Sequence, residues 1–168
     1  MPASEKAPQA TPISHTVFKF FFASHIPPTL FLDASVVLPP SIVPSFCTAL
    51  RTLYTDMYKD PLFISPPLWF KSLLLCETFL QLPFFIVALY AFHKRKNWIR
   101  VPAICYAAHT ATTLVPILTN HMLSPDVPSE SRAPLVCMFL PYLLIPLWLM
   151  FHCARNEVLF PDSESKNK

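Results

Sequence analysis

Residues 68–92 read "LWFKSLLLCETFLQLPFFIVALYAF", and "HKRKN" follows at 93–97. A helix over this stretch is long enough for a bilayer core, which takes about 20 residues. The short basic connection after it, with Lys94, Arg95, Lys96 and then Arg100, is of the kind held on the cytoplasmic side. Yet the stretch also carries Glu77, Gln81 and Pro83. An ionised acid at the centre of a membrane helix costs about 2.5–3.5 kcal/mol on insertion scales. Glu77 therefore has to face a partner or a cavity, not lipid.

The composition agrees with a membrane protein. Of 168 residues, 53% are hydrophobic and 14% charged, where a soluble domain carries about 25% charged residues. There are 20 prolines and no glycine, so no Rossmann turn, phosphate-cradling loop or GxxxG pairing motif is available. No basic, aromatic-interleaved patch points to nucleic acid. The five cysteines show no zinc spacing and read as buried free thiols. No cofactor is expected.

Three further apolar runs, 17–38, 98–120 and 134–153, join 68–92 to give four spans. The first is too long and too polar inside, with His25 and Asp33, to be a cleaved signal peptide. The fold class is an all-α membrane protein, a bundle of four transmembrane helices. Residues 1–12 read as a disordered cytoplasmic stretch, 13–156 as one domain and 157–168 as a cytoplasmic tail. With 93–97 cytoplasmic, both termini are cytoplasmic too, and the first and third connections are lumenal. Arg51 and Lys59 in the first connection are answered by Asp56 and Asp60. Over 41–60 apolar residues recur at helical spacing, from Ile42 through Phe46, Leu50 and Leu53 to Met57. This amphipathic connecting helix is either an interfacial anchor or a lid over a cavity.

Depth brings the polar residues together. At the helical rise, Asp33 lies about 8 Å and Glu77 about 13 Å below the lumenal ends of their spans. Tyr142 lies about 12 Å down the fourth, and Thr110 and Thr113 about 10–15 Å down the third. Glu77 and Gln81 share a helix face, as do Tyr106, His109, Thr110 and Thr113. The candidate lining residues are Asp33, Glu77, Gln81, Thr110, Thr113, Tyr142, His25 and Tyr106. His25 and His109 read as packing histidines before catalysts, and no basic residue stands at the depth of the acids. Two carboxylates this close in a low dielectric share a proton, leaving one negative charge in an apolar space. That suits a hydrophobic molecule with one protonated amine. Pro27, Pro28, Pro83, Pro102, Pro116, Pro141 and Pro146 lie within the spans, where each kinks its helix and helps to splay the bundle.

The blocks "SHIPPTLFLD" (24–33), "YKDPLF" (58–63), "PPLWFKSLLLCETFLQLPFF" (66–85), "WIRVPAICYAAHTATTLVPIL" (98–118) and "PYLLIP" (141–146) resemble the sigma-2 receptor family. That family lies in the EXPERA superfamily with the emopamil-binding sterol isomerases. The resemblance implies an endoplasmic reticulum membrane protein whose lumenal-half pocket opens to lipid. It implies that Asp33 binds the ligand's amine and that Glu77 hydrogen-bonds Asp33. Gln81, Thr113 and Tyr142 fall on matching blocks. The implied ligands are sterols, oxysterols and cationic amphiphilic small molecules. The implied partners are the Niemann–Pick type C sterol transporter and a second copy in a homodimer. The sequence departs from the family at the tail, "SESKNK", which lacks a complete dilysine retrieval signal. It departs from the isomerases at Leu73, where they carry a histidine one turn before the glutamate. A receptor without catalysis is thus the leading reading. An isomerase is the runner-up, and a chaperone-like partner of a transporter the third.

Overall fold

The computed structural model describes residues 12–161, which form helices and connections without a strand among them. Readings that concern 1–11 and 162–168, the N-terminal stretch and the retrieval signal, lie outside the described residues. Four helices are long and apolar enough to cross a membrane: Ser14–Val37, Leu68–His93, Asn97–Leu123 and Ser129–Arg155. They sit where the apolar runs put them, but the last two extend further. The third connection shrinks to residues 124–128. Arg132 closes it by donating to the carbonyls of Met122, Ser124 and Val127, which satisfies acceptors that the end of the third span leaves open. Arg100 does the same at the other end of the molecule, donating to the carbonyls of Cys153 and Ala154.

The beginning of the first span, the 93–96 connection and the residues after the fourth span meet at one end. His15 packs its ring 4.6 Å from that of Phe160. Asn97 takes Phe160 by both main-chain groups, accepting from its N–H at 2.8 Å and donating to its carbonyl. Leu159 and Phe160 are buried, so the tail is packed onto the bundle as far as Phe160, not polar from residue 157 onward.

Two apolar clusters divide the bundle. The larger, at the end bearing the termini, is built on Phe18, Phe22, Phe85, Phe92 and Leu149. The smaller, at the opposite end, joins Leu62, Phe63, Phe70, Leu74 and Ile117. The outer faces of the spans are apolar and uncovered: Phe20 is 74% exposed and Leu68 83%, as lipid-facing residues are in the absence of a bilayer. Cys105 and Cys137 are on this outer surface, and of the five free cysteines only Cys47 and Cys153 are buried.

The first connection contains the helix Ser45–Tyr58. Its apolar stripe, Phe46, Leu50, Leu53 and Met57, points outward, as an interfacial anchor requires. The helix ends at Lys59, whose φ of 50° is left-handed. Glycine usually takes this role, but the chain has none.

The prolines act unevenly. Pro27, Pro28, Pro116, Pro134, Pro141 and Pro146 are inside helices. Pro102 is in the first turn of Arg100–Leu123, where its missing N–H has no partner to lose, so it is not a kink.

Candidate functional site

Two prolines in succession deprive the first span of two N–H donors. The backbone beyond them widens into a π turn over Thr29–Asp33, closed by the Ala34 N–H on the Thr29 carbonyl. The second span has a matching π turn over Glu77–Gln81, closed by the Leu82 N–H on the Glu77 carbonyl, immediately before Pro83. A π turn takes in one residue more than an α turn and is frequent at functional positions. The two turns face each other, and together they hold Asp33, Glu77 and Gln81.

The first span clamps Glu77. Thr29 Oγ1 donates to Glu77 Oε1 at 2.9 Å, and His25 Nε2 stands 3.3 Å from the same oxygen. His25 is itself fixed, stacked on Phe85 at 4.8 Å and tilted against Tyr142 at 4.4 Å. The acids thus have a titratable partner at their own depth, contrary to the sequence reading. Among the described residues, the hydrogen-bond and ion-pair partners of Glu77 are Thr29 and His25, with Asp33 near enough to interact electrostatically. His25, Thr29 and Asp33 are spaced four apart, so one helical stripe carries all three. That spacing was the available signal for Thr29, which the sequence reading missed.

Asp33 and Glu77 line a cavity of about 790 Å³, its mouth included. His25, Gln81, Thr110, Thr113 and Tyr142 share that wall, and most of the remainder is apolar, with Leu32, Phe70, Ile117 and Phe139 among it. Gln81 is the best-anchored polar group. Its Oε1 accepts from Thr110 Oγ1 at 3.0 Å, and its Nε2 meets His109 Nδ1 at 3.2 Å. Thr113 spends its hydroxyl on the Thr110 carbonyl. Tyr106 is the exception among the candidates. It is buried in the larger apolar cluster and stacked on Phe84 at 4.7 Å, so its ring is core and not cavity lining.

A second buried acid lies toward the opposite end. Asp60 was read as the surface answer to Lys59, but it is fully buried. Lys59 pairs instead with Glu130, at 3.5 Å on the surface. Asp60 N-caps the short helix Pro61–Ile64, its Oδ1 accepting from the Leu62 N–H at 2.9 Å. Its Oδ2 accepts from Tyr54 Oη at 2.8 Å, and His121 Nε2 stands 3.3 Å from both oxygens. Burial, and next the adjacent Asp60 carboxylate, push the Tyr54 phenol well above its ordinary range. The cluster matters to the site because Tyr54 and Phe63 reach the cavity wall. The connecting helix therefore both carries an outward apolar stripe and helps to enclose the cavity.

The family profile described as EXPERA (EXPanded EBP superfamily) matches residues 46–153. The sigma intracellular receptor 2 of Xenopus tropicalis is 46% identical over 162 residues, which cover 90% of this chain and 94% of that protein. The sigma intracellular receptor 2 of Homo sapiens is 42% identical over 88% of this chain and 91% of its own. A more distant relative, the efficient mitochondria targeting-associated protein 19 of Schizosaccharomyces pombe, is 29% identical over 80% of this chain and 71% of its own.

Proposed function

The chain belongs to the EXPERA superfamily, among the sigma intracellular receptor 2 proteins, and we propose that it is a multi-pass membrane receptor whose cavity binds hydrophobic amines and sterols. One observation carries the reading: two carboxyls, Asp33 and Glu77, on the wall of an otherwise largely apolar cavity inside the bundle. A ligand that fills it gains from burying its carbon body, about 25 cal/mol per Å² of apolar surface. Its ammonium gains from a carboxylate in a medium that screens poorly. Asp33 is the anchor and Glu77 its support, held in place by Thr29 and His25. Aromatic rings close to the acids add cation–π attraction, and an oxysterol's hydroxyls suit the Gln81–Thr110 side.

The resemblance supplies the wider setting of the proposal. The receptor resides in the endoplasmic reticulum membrane with both termini cytoplasmic. It serves sterol homeostasis or trafficking, alongside the Niemann–Pick type C transporter. The test is saturation binding of a tritiated aryl-alkyl tertiary amine to purified protein. D33N should abolish binding while the thermal transition is kept. Undiminished affinity in that variant refutes the reading.

His25 gives the isomerase alternative a specific basis. The histidine that Leu73 does not supply is offered from the first span, beside Glu77, and a histidine–carboxylate pair can move a proton on or off carbon. Expression in an isomerase-deficient strain decides this, because a shifted sterol double bond that vanishes in E77Q requires catalysis.

A further inference from the structure

On the outside of the bundle, a groove runs between the connecting helix and the first span. Its walls are Pro27, Phe31, Leu50, Leu53, Met57 and Tyr58 together with Pro28, Leu32 and Tyr54. The last three residues also line the cavity that holds Asp33 and Glu77. Groove and cavity are therefore two sides of one thin partition. Pro28 and Leu32 belong to the first span, at and beside its π turn. Tyr54 is the member that comes from another element, the connecting helix Ser45–Tyr58.

The Tyr54 ring is held in place from its far end. Its hydroxyl donates to Asp60, and Asp60 is fixed by the Leu62 N–H and by His121. Rotating the ring out of the partition breaks one hydrogen bond to a charged group, worth about 1.5–3 kcal/mol, and leaves the rest of the Asp60 cluster standing. The barrier is thus local and does not require the bundle to come apart. The groove itself is open on its outer side and offers almost nothing but carbon. Leu53 is 57% exposed and Met57 62%, and both continue the apolar outer surface of the spans. An aqueous solute gains nothing specific there, whereas an apolar molecule dissolved in the bilayer does.

We propose that this groove is the first binding station for a membrane-dissolved apolar amphiphile, and that Tyr54, latched by Asp60, is the gate through which it passes into the cavity. The inference rests on the cavity being the amine- and sterol-binding site. It adds where the ligand comes from and which side chain sets the rate. Tyr54 acts on transit, not on the bound complex, so changes at the gate speed or slow arrival and departure together.

The experiment measures association and dissociation of the tritiated tertiary amine in proteoliposomes, for wild type, Y54F and L53W. Y54F removes the latch without emptying the partition, and both rates should rise about tenfold, the equivalent of about 1.4 kcal/mol. L53W fills the groove from its exposed side, and both rates should fall by a similar factor. In each case the equilibrium affinity should stay within about twofold. Unchanged rates, or an affinity change carried by one rate alone, overturn the proposal. So does L53W altering the oligomeric state by cross-linking, because the groove is then an interface with a second copy. Wild type and D33N are run alongside. No binding by wild type, or full binding by D33N, refutes the binding site beneath. A sound binding site with unresponsive kinetics refutes the gate alone.

Discussion

The molecule contains the same pair twice. His25 stands 3.3 Å from Glu77, and His121 stands 3.3 Å from Asp60. The two differ in surroundings. The Asp60 side chain is fully buried, and its oxygens are spoken for by a tyrosine, a helix N–H and the histidine. The Glu77 side chain keeps 20% of its surface open, and both of its contacts fall on one oxygen. A sealed and satisfied acid can brace a fold. An acid left half-satisfied on a cavity wall is available to something that is not yet there. The difference explains why one pair belongs to the architecture and the other to the site.

The largest expected effect tests that division directly. D60A strands His121 and unpins Tyr54 and the Leu62 N–H, and breaking a buried pair from one side costs about 3–5 kcal/mol. Thermal unfolding in detergent should show a loss of that order. E77Q, which keeps its shape beside the cavity, should cost no more than about 1 kcal/mol. Equal losses at the two positions would erase the distinction between brace and site. Alkaline pH comes next and singles out the sealed pair. The Tyr54 phenol titrates higher in the folded chain than its unfolded value of about 10. Its contribution is therefore intact below pH 10 and is lost as the pH rises above it, because the unfolded chain releases the proton first. Y54F should flatten the alkaline limb of a stability-against-pH curve, and an unchanged limb would show that the phenol is not sealed in as described. The smallest effect lies next door, at Lys59. Its left-handed backbone is of the kind that costs a side-chain-bearing residue about 1 kcal/mol. K59G should raise the unfolding free energy by about that much, since the exposed pair with Glu130 contributes little to set against it. A loss of stability on that change would mean that the turn is held by Lys59 itself.

How far the sequence could be read follows the range of each interaction. Span positions rest on local apolar runs, and all four lie where the runs put them. Glu77 and Gln81 declared themselves because polar residues stand out in such a run. The His121–Asp60 pair spans 61 positions, and nothing local at either residue points to the other. Asp60 was therefore assigned to its charged neighbour in sequence, Lys59, which faces away from it to Glu130. Tyr106 shares a stripe with Thr110, but the tight packing of Phe84 and Phe85 against it turns it into core. The π turns were hidden because a pattern of 3.6 residues per turn carries no mark where one extra residue is absorbed.

Those two turns have a consequence for alignment within each span. One residue absorbed into a helix shifts everything after it by about 100° about the axis. The parts of the first and second spans on either side of their π turns are therefore out of phase with each other. Removing one residue from 29–33 would leave a helix still long enough to span the membrane. It would rotate Ala34–Val37, and the start of the connection with it, by more than a quarter turn. Insertions and deletions at these two places are thus the length changes that leave the span intact while re-aiming the walls of the cavity.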